Sequence, residues 1–223
     1  MRRKHFTWAA LWLGALAPAA LAINNVGPTL SFTPDLVINF DNLTPTSTLT
    51  SGSAIASGVT FMQAPGPSPL ASAANTQASV VDTGGGNLAL QQISIPNSGN
   101  AFGSAIAFKF PFAQPVQSVA LQVTQVSGGG ANDDNPSVDA YDASSNLLGG
   151  FGTFPSAGDY MGVANSTTPI VFFRFSATDF PSDQIFRVDN LSIQFAPEPT
   201  SMTFMAIVSL GSMLRRRCNP TAS

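Results

Sequence analysis

Eleven aspartates and no glutamate lie between Ile23 and Ala196, and they are the residues there best equipped for chemistry. The same stretch holds no histidine, cysteine or tryptophan, and its only cations are Lys109, Arg174 and Arg187. A Ser-His-Asp or Cys-His arrangement, a histidine-based zinc site and a glutamate pair for glycoside hydrolysis are all beyond that inventory. An aspartate pair remains as an acid and a base, but no sequence pattern singles out two of the eleven. The residue types therefore predict a protein that is not an enzyme.

Aspartates do offer hard oxygen to cations and acceptors to backbone N–H groups. Two Asp-Asn-Leu triplets stand out, Asp41-Asn42-Leu43 and Asp189-Asn190-Leu191. Asp189 has the parity of Leu191, Ile193 and Phe195, so in an unbroken strand its carboxylate would point at the core, where an unpaired charge is costly. Two readings fit. Either Asp189 caps a turn where its strand begins, or it is paired, with Arg187 or with a structural calcium held by Asp41 and Asp189. No other cofactor is expected. Asp133-Asp134-Asn135 makes a further acidic loop, without the spacing or closing Glu of an EF-hand, and is expected to be solvated. Tyr141 is the candidate for ligand binding. In Val138-Asp139-Ala140-Tyr141-Asp142 it shares a face with Asp139, where an exposed ring would stack on a sugar. The alternative for Tyr141 is an ordinary strand tyrosine with its body covered and its hydroxyl wet.

Three basic residues against eleven aspartates leave the 23–196 stretch with a net charge of −8. Such a surface repels phosphate backbones and anionic lipid, so no nucleic-acid partner is expected. Without a disulfide the stretch must hold together by core burial, for which its phenylalanines supply the bulk.

The elements that carry these residues read as short strands separated by clusters of Gly, Pro, Ser and Asn, with no helical period between the two ends. Candidate strands are 36–40, 58–61, 80–81, 88–93, 105–110, 116–126, 137–141, 147–151, 170–175 and 186–195. Val119, Leu121 and Val123 alternate with Ala120, Gln122 and Thr124, the pattern of a strand with one buried face. The 170–175 run is more continuously apolar, as suits a strand covered on both faces or central in its sheet. Residues 63–79, rich in Pro, Ala and Ser, read as a long exposed loop. Gly84-Gly85-Gly86 and Gly128-Gly129-Gly130 read as turns. Together these features predict an all-β, jelly-roll-like two-sheet sandwich over residues 23–196.

Both ends of the chain have a different character. Arg2, Arg3 and Lys4, an apolar run over 8–16 and the small-x-small site Ala20-Leu21-Ala22 make residues 1–22 a secretory signal peptide, cleaved between Ala22 and Ile23. At the other end Pro197-Glu198-Pro199 precedes a moderately apolar run over 200–214, expected as a short hydrophobic helix, and then Arg215-Arg216-Arg217. This order resembles the PEP-CTERM sorting signal of Gram-negative envelope proteins. In that family a Pro-Glu-Pro box, a hydrophobic helix and a basic tail mark an exported protein for an exosortase.

The resemblance implies a sorting anchor over 197–217, followed by a cytoplasmic tail over 218–223. It implies signal peptidase and exosortase as partners, and a passage through the inner membrane before release to the cell surface or beyond. The opening Ile38-Asn39-Phe40-Asp41 and the closing Val188 to Ile193 segment resemble the passenger domains that precede such anchors, and suggest that first and last strands pair. The reading is of an exported, non-catalytic surface or extracellular-matrix protein. The alternative is a carbohydrate-binding, lectin-like adhesion module with exopolysaccharide as its partner.

Overall fold

The computed structural model describes residues 23–62, 76–97, 100–103, 105–127, 136–176 and 185–197. The expected signal peptide over 1–22, the expected turn at Gly128 and acidic loop at Asp133, and the segment from Glu198 onward lie outside them, and with these the expected C-terminal helix.

Among the described residues every element is a strand. The larger sheet runs β1 (Asn24–Val26), β13 (Tyr160–Ala164), β10 (Val116–Ser127), β15 (Ile185–Phe195), β6 (Asn87–Gln92), β5 (Ala78–Gly84) and β3 (Thr48–Leu49), and β2 (Leu36–Ile38) also pairs with β15. The smaller sheet runs β12 (Leu147–Gly152), β11 (Ser137–Tyr141), β14 (Phe172–Ser176), β9 (Ile106–Lys109) and β4 (Thr60–Phe61). A ribbon of β7 (Ser94–Asn97) and β8 (Asn100–Gly103) stands apart from both. Neighbouring strands in both sheets are antiparallel.

The two sheets pack face to face as a sandwich, because period-two alternation gives each an apolar side. Val119, Leu121 and Val123 of β10 meet Phe173 and Phe175 of β14, Val138 of β11 and Phe108 of β9 in one buried cluster. Phenylalanine rings bridge the layers: Phe40 stacks on Phe108 with centroids 6.0 Å apart, and Phe175 meets Phe186 edge-on at 5.9 Å. As expected, β14 is central in its sheet, and first and last candidate strands pair, with Leu191 opposite Ile38 and Ile193 opposite Leu36.

Every candidate strand is present, but the structure adds β1, β3, β7, β8 and β13 to them, and part of an expected loop is strand. Ala78 and Ser79, placed in an exposed loop by their composition, begin β5, and Thr76 and Ala78 are wholly buried. The rest of that loop, 63–75, lies outside the described residues. β1 precedes the expected first strand, and β13 fills the gap left at 160–164. The sequence of β13, Tyr-Met-Gly-Val-Ala, hides its period because Gly162 and Ala164 occupy its outer face. Small residues there let the chain after β1 lie across the sheet, with Leu30 and Phe32 packed on Val26, Ala120 and Ala164.

Candidate functional site

The two Asp-Asn-Leu triplets do meet. β15 presents one edge to two partners in succession, pairing with β2 at Leu191 to Ile193 and with β6 at Arg187 and Val188. At the change of partner β15 takes an extra residue, so that the pairs Ala120–Ser192 and Gln122–Asp189 bracket a bulge, and Asn190 takes a left-handed φ of 48°. The bulge resets the parity. Phe186 and Val188 below it and Leu191 and Ile193 above it all point at the core, and Asp189 is turned away from it, half-buried. This corrects the expectation that Asp189 must stand at the beginning of its strand or be paired with Arg187, whose Nε donates instead to Gln91 Oε1 at 2.8 Å.

Both carboxylates serve as backbone acceptors at this junction. Asp189 Oδ1 accepts from its neighbour's N–H, Asn190, at 2.6 Å, and the carboxylate also takes the Phe40 N–H. Asp41 Oδ1 accepts the Leu88 N–H at 2.8 Å, joining the exit of β2 to the start of β6. N–H groups that the ladder leaves open where β15 changes partner thus find oxygen. Burial raises the pKa of Asp189, the nearby charge of Asp41 raises it further, and the two N–H donors oppose the shift. As a cation site the junction offers two carboxylates, and among the described residues no group of three or more His, Cys, Asp or Glu stands together.

Tyr141 lies in the smaller sheet on the face turned away from the core, as its parity predicts. There Asp139 pairs across the ladder with Arg174, and Tyr141 with Phe172. Arg174 is 5% exposed, and it donates through Nε at 3.2 Å and a terminal amine at 2.5 Å to Asp139 Oδ2. Gly150 on β12 makes room for this carboxylate, since a Cβ there would lie 2.5 Å from Asp139 Oδ1. The Arg174 guanidinium sits 5.6 Å from the Tyr141 ring centre, and burial raises the tyrosine pKa against the pull of the Arg174 charge. At 3% exposure Tyr141 presents no ring face on which a sugar could stack.

An open cleft of about 490 Å³ lies where the edge strands β1 and β12 approach each other. Asn25, Phe151, Thr153, Phe154, Asp159 and Tyr160 line it, together with the Gly27-Pro28 turn. Phe154 is 50% exposed, its ring held edge-on to the buried Phe186 ring at 6.4 Å. Asp159 Oδ2 accepts the Ser156 N–H at 2.7 Å, and the Tyr160 N–H donates to Pro28 O at 2.8 Å. The sequence reading passed over these residues because they come from three separated stretches. The local signal was an aromatic cluster, Phe151, Phe154 and Tyr160, in a segment of strand and turn.

Fold and site together define an antiparallel β-sandwich with a neutral-to-acidic cleft at one edge. No family model matches the sequence, and no curated protein matches it. Among solved structures, the chain is similar to the enzymatically active domain of tailspike protein 4 of bacteriophage CBA120, at 11% identity and a TM-score of 0.29. The match covers 79% of this chain and 20% of the other, so the chain spans a fifth of that protein's length. Against a neighbour described as an enzyme, the expectation that this chain is not one is corrected to a narrower statement. His-, Cys- and Glu-based mechanisms are absent from residues 23–196, and aspartate chemistry is not. A likeness this distant carries no activity to the present chain.

Proposed function

We propose that the chain is an exported protein of the bacterial surface or extracellular matrix, delivered through a PEP-CTERM and exosortase type of sorting. The observation that carries this reading is where the sandwich begins and ends. Ile23, the residue after Ala20-Leu21-Ala22, already packs on the core, so close to β12 that a Cβ at Gly149 would lie 2.5 Å from its side chain. At the other end Ala196 still donates its N–H to Pro115 O at 2.7 Å and accepts from Gln114 Nε2 at 3.0 Å. The next residue, Pro197, is exposed and opens the Pro-Glu-Pro box. A cut at Ala22 and a cut near the box would each fall just outside the outermost contacts of the described residues.

Of the expected anchor, 197–217, all but Pro197 lies outside the described residues, among which no helix is long and apolar enough to cross a membrane. In this reading the arginines Arg215, Arg216 and Arg217 stay on the cytoplasmic side because of their cost of crossing. Replacing Pro197, Glu198 and Pro199 together by alanine tests the assignment. A full-length, membrane-associated precursor with a folded β-domain is expected, because the box follows the last sandwich contact. Arrival of the triple variant in the medium or on the outer surface with wild-type mass and rate would overturn the sorting reading.

A further inference from the structure

The cleft between β1 and β12 has an aromatic wall, in which Phe151 and Tyr160 also pack on the buried clusters and Phe154 stands half-exposed, and a polar rim. We propose that it binds a segment of an uncharged polysaccharide. The proposal uses the sandwich alone and stands or falls independently of the sorting reading.

Size and lining support it. At about 490 Å³ the cleft falls within the ~300–1,000 Å³ of small-ligand sites. A pyranose ring has an apolar C–H face and a rim of hydroxyls that each donate and accept. Phe151, Phe154 and Tyr160 supply apolar rings for the first, and the amide of Asn25, the hydroxyl of Thr153 and the carboxylate of Asp159 match the second. Much of the site is held in place before any ligand arrives. Phe154 leans on a buried ring, Asp159 is fixed through one oxygen by Ser156, and the Tyr160 backbone is tied to Pro28. At Phe154 and Asp159 less side-chain freedom is left to be lost on binding.

Charge decides the class of polymer. The lining contains one carboxylate and no Lys or Arg, and the domain carries a net charge of −8. Uronate- or sulfate-bearing chains would meet repulsion and find no counter-charge. A cationic peptide would find the aromatic rings attractive, but the lining offers it a single carboxylate, one oxygen of which is already committed to Ser156. The cleft is open along one side, which suits an internal stretch of chain as well as an end.

Native gel electrophoresis of the purified protein, through gels containing dextran, laminarin or hydroxyethyl cellulose, provides the test, with alginate as the anionic and poly-lysine as the cationic probe. Retardation by at least one neutral polysaccharide and not by alginate is expected, while poly-lysine, attracted by the net charge of −8 over the whole surface, should retard the wild type and Phe154→Ala alike. Phe154→Ala should weaken the neutral retardation about tenfold, and Val37→Ala, which changes an exposed residue of β2, should leave it unchanged. Since Phe154 also touches the core, Asn25→Ala serves as the second variant. Asn25 is exposed and carries none of the packing, so it should weaken retardation without moving the unfolding curve. The proposal is overturned by no retardation in any neutral gel, by retardation in the poly-lysine gel alone, or by neutral retardation that survives both Phe154→Ala and Asn25→Ala.

Discussion

Asp189 in the larger sheet and Asp139 in the smaller one are both mid-strand aspartates on the side of the sheet turned from the core, yet they keep different company. Asp139 has a guanidinium, that of the buried Arg174, and a gap left for its second oxygen by Gly150. Asp189 has only backbone N–H groups and, nearby, another carboxylate. In a domain with eleven aspartates and three cations, most acids cannot have an ionic partner. The comparison shows one way in which an aspartate without a cation is accommodated: it goes where the sheet has broken its own hydrogen-bond ladder. Asp41 and Asp189 do this at the point where β15 exchanges β2 for β6.

If that contrast is right, the ionic pair should respond most strongly to mutation. Arg174→Met leaves the Asp139 carboxylate without its partner in a covered site, and should cost on the order of 3 kcal/mol in urea unfolding. Adding Asp139→Leu to it should recover much of the loss, giving a large coupling in the double-mutant cycle. A loss well below 1 kcal/mol would place the pair with ordinary surface salt bridges and erase the distinction between the two regions.

An intermediate effect is expected at the junction. Asp41→Ala removes the acceptor of the Leu88 N–H, next to a side chain that is 3% exposed, and should cost about 1–2 kcal/mol. Asp41→Asn, which keeps an acceptor oxygen, should cost less. Equal losses for the two variants would mean that charge, and not the hydrogen bond, is what the junction uses.

The smallest effect should come from Asp189→Asn, and its sign is the informative part. Burial and then the Asp41 charge hold the folded-state pKa of Asp189 above its unfolded value. Ionised Asp189 therefore costs stability at pH values above its folded pKa. That cost is relieved as the pH falls through the folded pKa, and is gone below the unfolded one. Asparagine keeps an acceptor and carries no charge, so Asp189→Asn should leave stability at neutral pH unchanged or raised by under about 1 kcal/mol, and should remove the gain in stability that Asp189 contributes as the pH falls. The calcium reading predicts the opposite. A bound ion would make calcium raise the melting temperature of the wild type, and Asp189→Asn would abolish that rise.

The strands were legible where the side chains alternate by size and polarity, as in Val119 to Thr124, and where an apolar run lies in the middle of a sheet, as in β14. β13 was not legible, because its outer positions are the small residues that let another segment lie close. The meeting of the Asp-Asn-Leu triplets followed from pairing the first and last candidate strands. The way Asp189 is accommodated did not, because a bulge changes the meaning of parity and only a weak signal marks it: Asn190 carries the left-handed φ, which asparagine adopts more readily than most other residues with a side chain.

By itself, then, the sequence determined the class of fold, through period-two alternation and dense turn residues, and the chemistry out of reach, through residue types that are missing from 23–196. Those are properties of composition and of near neighbours along the chain. Tertiary structure alone decided which side of a strand is open. Tyr141 and Asp139 share a face by parity, but that face is covered, and among the described residues the exposed aromatic one is Phe154, in the irregular segment after β12. The cleft likewise combines Asn25 with residues 151–160, because strand pairing through β13 and β11 brings the edges β1 and β12 together across more than a hundred residues of sequence. Exposure and convergence of this kind depend on what packs over a surface, and no local pattern of residues encodes it.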